Sequence, residues 1–167
     1  GEQPCQRYEQ FTYDGVGRLK TRRDRRGVVT TFFYDGLGRL KSKTYSDGTA
    51  TITYGYDEGG TSQKGRQTSA VAGPISLAWS YDLAGEAVTA LRTKGTTTHT
   101  LAYTYDDAGA RLTVTLDGQL RTTQYWDDRG LLDHIVRAPD ATFQFAYDAA
   151  SRRKSVAFPN NVLTAYG

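Results

Sequence analysis

The sequence predicts an all-β protein made of repeated antiparallel β-hairpins, about fourteen strands forming a curved or spiralling sheet or a small barrel. Three observations predict it. Tyr-Asp recurs at Tyr13-Asp14, Tyr34-Asp35, Tyr56-Asp57, Tyr81-Asp82, Tyr105-Asp106 and Tyr147-Asp148, with Trp126-Asp127 in the one gap. The first members are 21, 22, 25, 24, 21 and 21 residues apart, a period that belongs to repeat architectures. Segments entering these pairs alternate apolar and polar residues, as half-buried strands do, and turn-forming residues close them at short intervals.

Each unit reads as two strands and two turns. Entering strands place Ile52, Tyr54 and Tyr56 on one face, as they do Ile75, Leu77, Trp79 and Tyr81. Leu101, Tyr103 and Tyr105, and Phe143, Phe145 and Tyr147, repeat the pattern. At the first turn, the Asp carboxylate is placed to accept a backbone N–H two residues on. Gly three residues after Asp supplies a left-handed backbone at Gly17, Gly38, Gly60, Gly85, Gly109 and Gly130; Ser151 stands there after Asp148. Leaving strands carry Leu19, Leu40 and the Leu112, Val114, Leu116 alternation. Second turns follow at Asp24 to Gly27, Asp47-Gly48, Gly73-Pro74, Lys94-Gly95, Asp117-Gly118, Pro139-Asp140 and Pro159-Asn160. No stretch sustains helical periodicity. At about 10 Å per hairpin, seven units make a sheet roughly 70 Å wide, which is expected to coil with its aromatic face inward as the core.

Composition agrees. The 167 residues include twelve Tyr and are 38% hydrophobic, too aromatic for a disordered chain. There is no Met, and the next Tyr of the series would fall one position past the last residue. The sequence therefore reads as one array over residues 1–167, truncated at both ends relative to a longer parent. Cys5 is alone, so no disulfide forms within the chain. No hydrophobic run reaches membrane-spanning length and no signal peptide is visible.

The motif Tyr-Asp-x-x-Gly-Arg-Leu, at Tyr13–Leu19 and Tyr34–Leu40, closely resembles the RHS/YD-repeat family, and the resemblance covers essentially the whole chain. Later units depart from it. Thr61, Glu86 and Leu131 stand at the Arg position, and Ala110 precedes a displaced Arg111-Leu112. The resemblance implies hairpin strips that spiral into a hollow shell, as in bacterial RHS polymorphic toxins, toxin-complex B and C subunits, wall-associated proteins and teneurins. In the bacterial toxins the shell encloses a toxic C-terminal polypeptide. The resemblance thus implies a non-catalytic wall segment of a secreted or cell-surface protein. Its partners would be the rest of the parent chain and an encapsulated toxin polypeptide. A cell-surface adhesion module binding carbohydrate or protein is the alternative.

Residue chemistry adds little that is catalytic. His99 and His134 lie in different repeats, without a nucleophile elbow or zinc spacing, so no enzyme activity, cofactor or metal is expected. Asp57-Glu58, Asp106-Asp107 and Asp127-Asp128 recur at turns, where capping explains each Asp without calcium. Basic charge is uneven. Residues 18–43 hold nine Lys/Arg against Asp24 and Asp35. Alternation predicts a stripe of Arg18, Lys20, Arg22, Arg39, Lys41 and Lys43 on the face opposite Leu19 and Leu40. Such a stripe is read as a solvated outer face or a site for a glycan or other polyanion, but not for a specific nucleic acid, because the aromatics are expected on the other face. Unpaired edges predict self-association.

Overall fold

A computed structural model describes residues 8–166. Cys5 lies outside the described residues. Fifteen strands follow one another, each antiparallel to its paired neighbours. They are β1 (Gln10–Tyr13), β2 (Leu19–Arg23), β3 (Val29–Tyr34), β4 (Leu40–Tyr45), β5 (Ile52–Tyr56), β6 (Gln67–Ala72), β7 (Ile75–Tyr81) and β8 (Ala87–Lys94). Then come β9 (Thr97–Tyr105), β10 (Arg111–Leu116), β11 (Gln119–Trp126), β12 (Leu132–Arg137), β13 (Ala141–Tyr147), β14 (Arg153–Ala157) and β15 (Leu163–Ala165). Sheet order equals chain order, β1 to β15, so the topology is a pure meander. The count exceeds the expected fourteen by β15, which pairs with β14 through Val156 and Thr164. Among the described residues the one helical element is a 3₁₀ turn, Thr61–Gln63.

Two compact units divide the chain. One runs to Trp79 and includes Arg92–Thr98; the other is Ser80–Leu91 with the residues from His99 onward.

The register carries one irregularity that recurs. Tyr13 pairs with Leu19 and Thr12 with Thr21, leaving Lys20 as an extra residue on β2. The same bulge leaves Lys41 extra beside Tyr34, Thr68 beside Tyr56, Leu112 beside Tyr105, Asp133 beside Trp126 and Lys154 beside Tyr147. A bulge shifts the side-chain phase of its strand by one position. Alternation counted through it therefore assigns the wrong face downstream.

Pairing settles the faces. Phe11 is opposite Arg22, Phe32 opposite Lys43, and Lys43 opposite Ile52. Arg22 and Lys43 thus share the aromatic face, contrary to the stripe expected on the other side. In the second unit Leu101, Tyr103 and Tyr105 share a face with Leu116, Val114 and Arg111. The other face carries hydroxyl pairs directly behind the corners, Thr12 with Thr21 and Thr104 with Thr113, at 2.6 and 2.7 Å.

The aromatic face is not a closed core. Val156 is the single buried hydrophobic residue among those described; Tyr34, Tyr54, Tyr56, Tyr105 and Tyr147 are half-buried. Within each unit the sheet supplies one layer, and nothing in these residues packs a second layer on it. The expectation of an aromatic core is corrected accordingly: the rings pack along the sheet, not between sheets.

Candidate functional site

The repeated corner is the feature that most residues serve. At the first one, the Asp14 N–H donates to the Arg18 carbonyl and the Gly17 N–H to the Asp14 carbonyl, at 2.8 and 3.0 Å. Asp14 Oδ1 accepts the N–H groups of Val16 and Arg18 at 3.0 and 2.9 Å. The Arg18 Nε donates to Asp14 Oδ2 at 2.7 Å. Gly17 has φ 84°, a conformation that costs an L side chain strain. The same turn forms at Asp35, Asp106, Asp127 and Asp148. At the last, Ser151 takes the left-handed role at φ 61°. Asp82 caps the backbone N–H groups of Gly85 and Glu86.

These bonds favour ionised Asp. The Arg18 N–H and guanidinium hold the Asp14 carboxyl below its ordinary range, and the Arg39 guanidinium does the same for Asp35. The Leu131 N–H lowers Asp127, and the Arg152 N–H and guanidinium lower Asp148.

Tyr has a role that counting could not show. The Tyr34 hydroxyl donates to the Leu19 carbonyl at 2.8 Å, Tyr56 to Leu40 at 2.9 Å, Tyr105 to Ala87 at 2.9 Å and Tyr147 to Leu132 at 3.0 Å. Trp126 Nε1 donates to the Arg111 carbonyl at 3.0 Å, so the one replacement keeps the bond. In every case the acceptor lies six residues after the preceding aromatic. Each aromatic therefore staples its own corner to the one before it. The signal that could have revealed this is the constant Tyr-plus-six position.

Arginine adds a second tie. The Arg18 guanidinium lies 4.6 Å from the Tyr34 ring centroid, and that of Arg39 lies 4.4 Å from Tyr56. Arg39 Nε binds Asp35 at 2.8 Å while its Nη1 binds Asp57 at 2.7 Å. Replacing Arg39 with Gln should lower the thermal midpoint more than Arg18→Gln, because Arg39 holds two carboxylates and Arg18 one. Circular dichroism melts of the two variants check the order.

The third corner departs from the sequence reading. Gly60 has φ 163°, extended backbone, and does not serve as the left-handed residue. The Asp57 N–H instead donates to the Arg66 carbonyl, and Asp57 Oδ1 accepts from the Gly65 N–H. Gly65, at φ 77°, and Arg66 are thus the true Gly-Arg of this repeat, and Thr61 is not its Arg position. Residues 58–64 form an insertion in the turn. Glu58 folds back so that the Thr68 and Ser69 hydroxyls donate to it, both at 3.3 Å. A Cβ at Gly55 would collide with Ser69 Oγ and Glu58 Oε1. Gly55→Val should displace this insertion, and hydrogen exchange at residues 58–66 should rise while β13 and β14 stay unchanged.

The remaining candidates separate. His99 Nδ1 pairs with Asp117 Oδ2 at 2.8 Å near the Asp117-Gly118 turn. His134 stacks on Tyr125 at 4.2 Å and contacts Asp133. The two are not brought together, and no group of three or more metal-ligating side chains occurs among the described residues. The basic stripe is partly compensated from outside its own segment. Arg22 pairs with Glu9, Arg18 with Asp14 and Arg39 with Asp57. Nine bases then face five acids rather than two, leaving Lys20, Lys41 and Lys43 as the stripe's charges outside these pairs. Lys43 lies between the Phe32 and Tyr54 rings, at 5.7 and 5.6 Å.

Comparison with known proteins agrees with this geometry. Residues 13–50 match the RHS Repeat family model. No curated protein matches the chain. Among solved structures, the Tc holotoxin pore of Photorhabdus luminescens is similar with TM-score 0.76 and 18% identity, over 94% of this chain and 9% of that one. TcdB2-TccC3 without its hypervariable C-terminal region gives 0.74 and 18%, over 94% and 9%. TcdB2-TccC3 gives 0.74 and 17%, over 94% and 10%. The chain spans about a tenth of the length of these chains, and at such identity the likeness establishes the fold.

Proposed function

We propose that this RHS/YD-repeat chain is a non-catalytic wall segment of an exported protein, forming part of a β-shell that encloses or scaffolds a toxin or effector polypeptide. The observation that carries the reading is the staple. Five aromatic side chains each donate to a carbonyl of the preceding corner. A chemistry repeated along the chain thus joins one repeat to the next rather than addressing a substrate. A single layer whose aromatic face is left half-exposed also suits a wall that meets something else on that face. One of the similar structures is a Tc holotoxin pore, which favours a toxin as the enclosed partner. Catalysis is not part of the proposal. The expected test is limited proteolysis of the full-length parent protein. The enclosed polypeptide should resist protease until paired staple substitutions, such as Tyr56→Ala with Tyr105→Ala, open the wall. Equal protease sensitivity before and after opening would sink the reading.

A surface-adhesion reading is favoured by one feature, Lys43 held between Phe32 and Tyr54 on an accessible face. It predicts salt-sensitive glycan binding by the isolated chain, lost in Lys43→Ala.

A further inference from the structure

Strand β6 leaves its corner as β2, β4, β10 and β14 do, but its side chains on the aromatic face are small. At the equivalent place β2 carries Arg22, β4 Lys43, β10 Val114 and β14 Val156. On β6 that place is Ala70, and the next one on the same face is Ala72. Large side chains flank both alanines. Tyr54 and Leu77 stand opposite Ala70, and Ile52 and Ile75 opposite Ala72. The result is a trough along β6 with an alanine floor and walls from β5 and β7, which lie about 9.6 Å apart. It holds about 260 Å³, opens to the surface and is lined by apolar groups. All of it belongs to one compact unit.

The gaps above Ala70 and Ala72 are two residues apart, or about 6.6 Å. Same-side residues of any other extended chain have that spacing. A peptide laid along β6 therefore drops alternate side chains into successive gaps, a repeat that an acyl chain does not share. Polar donors stand on the rim. Trp79 follows Ile75 and Leu77 on the same face of β7. The Tyr54 hydroxyl and the Trp79 indole N–H donate to no acceptor among the described residues. The hydroxyls of Tyr34 and Tyr56 and the indole of Trp126 all do. A peptide between Tyr54 and Trp79 offers backbone carbonyls to both; a hydrocarbon offers none. Charge narrows the occupant further. Lys43 stands opposite Ile52, with its ammonium 5.6 Å from the Tyr54 ring centroid, and pairs with no carboxylate among the described residues. It favours an acidic residue beside the apolar ones. It also disfavours a second copy of this face, which would bring Arg22 and Lys43 against their own counterparts.

We propose that the β6 trough binds an extended segment of a partner polypeptide, one with apolar side chains at alternate positions and an acidic residue beside them. The apolar side chains rest on Ala70 and Ala72. The backbone carbonyls accept from Tyr54 and Trp79, and the carboxylate meets Lys43. This goes beyond the wall reading and does not depend on it, because the site lies wholly within residues 43–79.

The test uses the intact chain, amide chemical shifts and a short acetylated peptide that alternates leucine with serine and ends in aspartate. Saturable shifts are expected at Ile52, Ala70, Ala72 and Leu77, with β13 and β14 unchanged. A peptide of the same composition with its leucines consecutive should bind about tenfold more weakly, since a misplaced leucine forfeits its burial. Ala70→Leu fills the trough and should abolish the response. Ala72→Leu fills the neighbouring gap and makes the same test if the first variant does not fold. Lys43→Gln should weaken binding of the aspartate peptide and leave its asparagine counterpart unchanged. The proposal is overturned by the absence of saturable shifts, by equal binding of the consecutive-leucine peptide, or by an undiminished response in a folded Ala70→Leu or Ala72→Leu variant. Shifts of the same residues produced as strongly by sodium dodecanoate would likewise overturn it, in favour of an acyl-chain site.

Discussion

Tyr56→Ala is expected to cost about 2–4 kcal/mol of stability, and Tyr56→Phe about 1 kcal/mol. The ring loses three things in the first case: its packing along the sheet, its bond to the Leu40 carbonyl and the Arg39 guanidinium above it. The second removes only the hydroxyl donor and leaves the Leu40 carbonyl to water. The figure is below that for a fully buried aromatic because Tyr56 is half-buried. Tyr13 is the internal control. It is 61% exposed, and Tyr13→Ala should stay within about 0.5 kcal/mol. Urea unfolding combined with hydrogen exchange at β4 to β6 measures all three. Equal costs at Tyr13 and Tyr56 would mean that the staple contributes nothing and that the Tyr-Asp period is maintained for the turn alone.

Much of this was legible in the sequence because the informative residues act locally. Asp14 caps groups two and four residues away, and Gly17 sits three away, so spacing alone identifies the turn. The strands follow from alternation that ends at each Tyr. What was not legible depends on non-local pairing. The bulges that leave Lys20 and Lys41 unpaired shift the phase of β2 and β4, so Arg22 and Lys43 emerge on the aromatic face. Nothing in the local pattern marks that extra residue; it appears only when Thr12 is seen opposite Thr21 and Tyr13 opposite Leu19. The third corner misled for the same reason. A Gly at the expected distance from Asp57 exists, but the Gly-Arg pair that closes the turn is five residues later, at Gly65-Arg66. The charge of the basic segment was likewise read from a window that omitted Glu9, Asp14 and Asp57, which folding brings onto it.

Glu86→Arg should raise the thermal midpoint at neutral pH, with a gain that shrinks in acid. Two opposing titrations give this shape. Asp14, Asp24, Asp35, Asp57, Asp117, Asp127 and Asp148 are all held below their ordinary value of 3.8 by the hydrogen bonds they accept. Their contribution is present above that value and is lost as pH falls through their lower folded values. Glu86 is displaced upward from 4.5 by burial and by Asp82 and Asp106. Its contribution is present below 4.5 and is lost as pH rises through its higher folded value. The wild-type chain should therefore carry a penalty at this corner near neutrality that the other corners do not. Arginine at this position removes the penalty and adds a partner for both Asp82 and Asp106, as Arg39 does for Asp35 and Asp57. The removed penalty exists only where Glu86 is ionised, so the gain shrinks in acid. Melting curves of the two proteins at about pH 3, 4, 5 and 7 should diverge progressively as pH rises. A gain of the same size at pH 3 and pH 7 would show that residue 86 acts through helix- or strand-independent packing of its side chain and not through the charges of the corner.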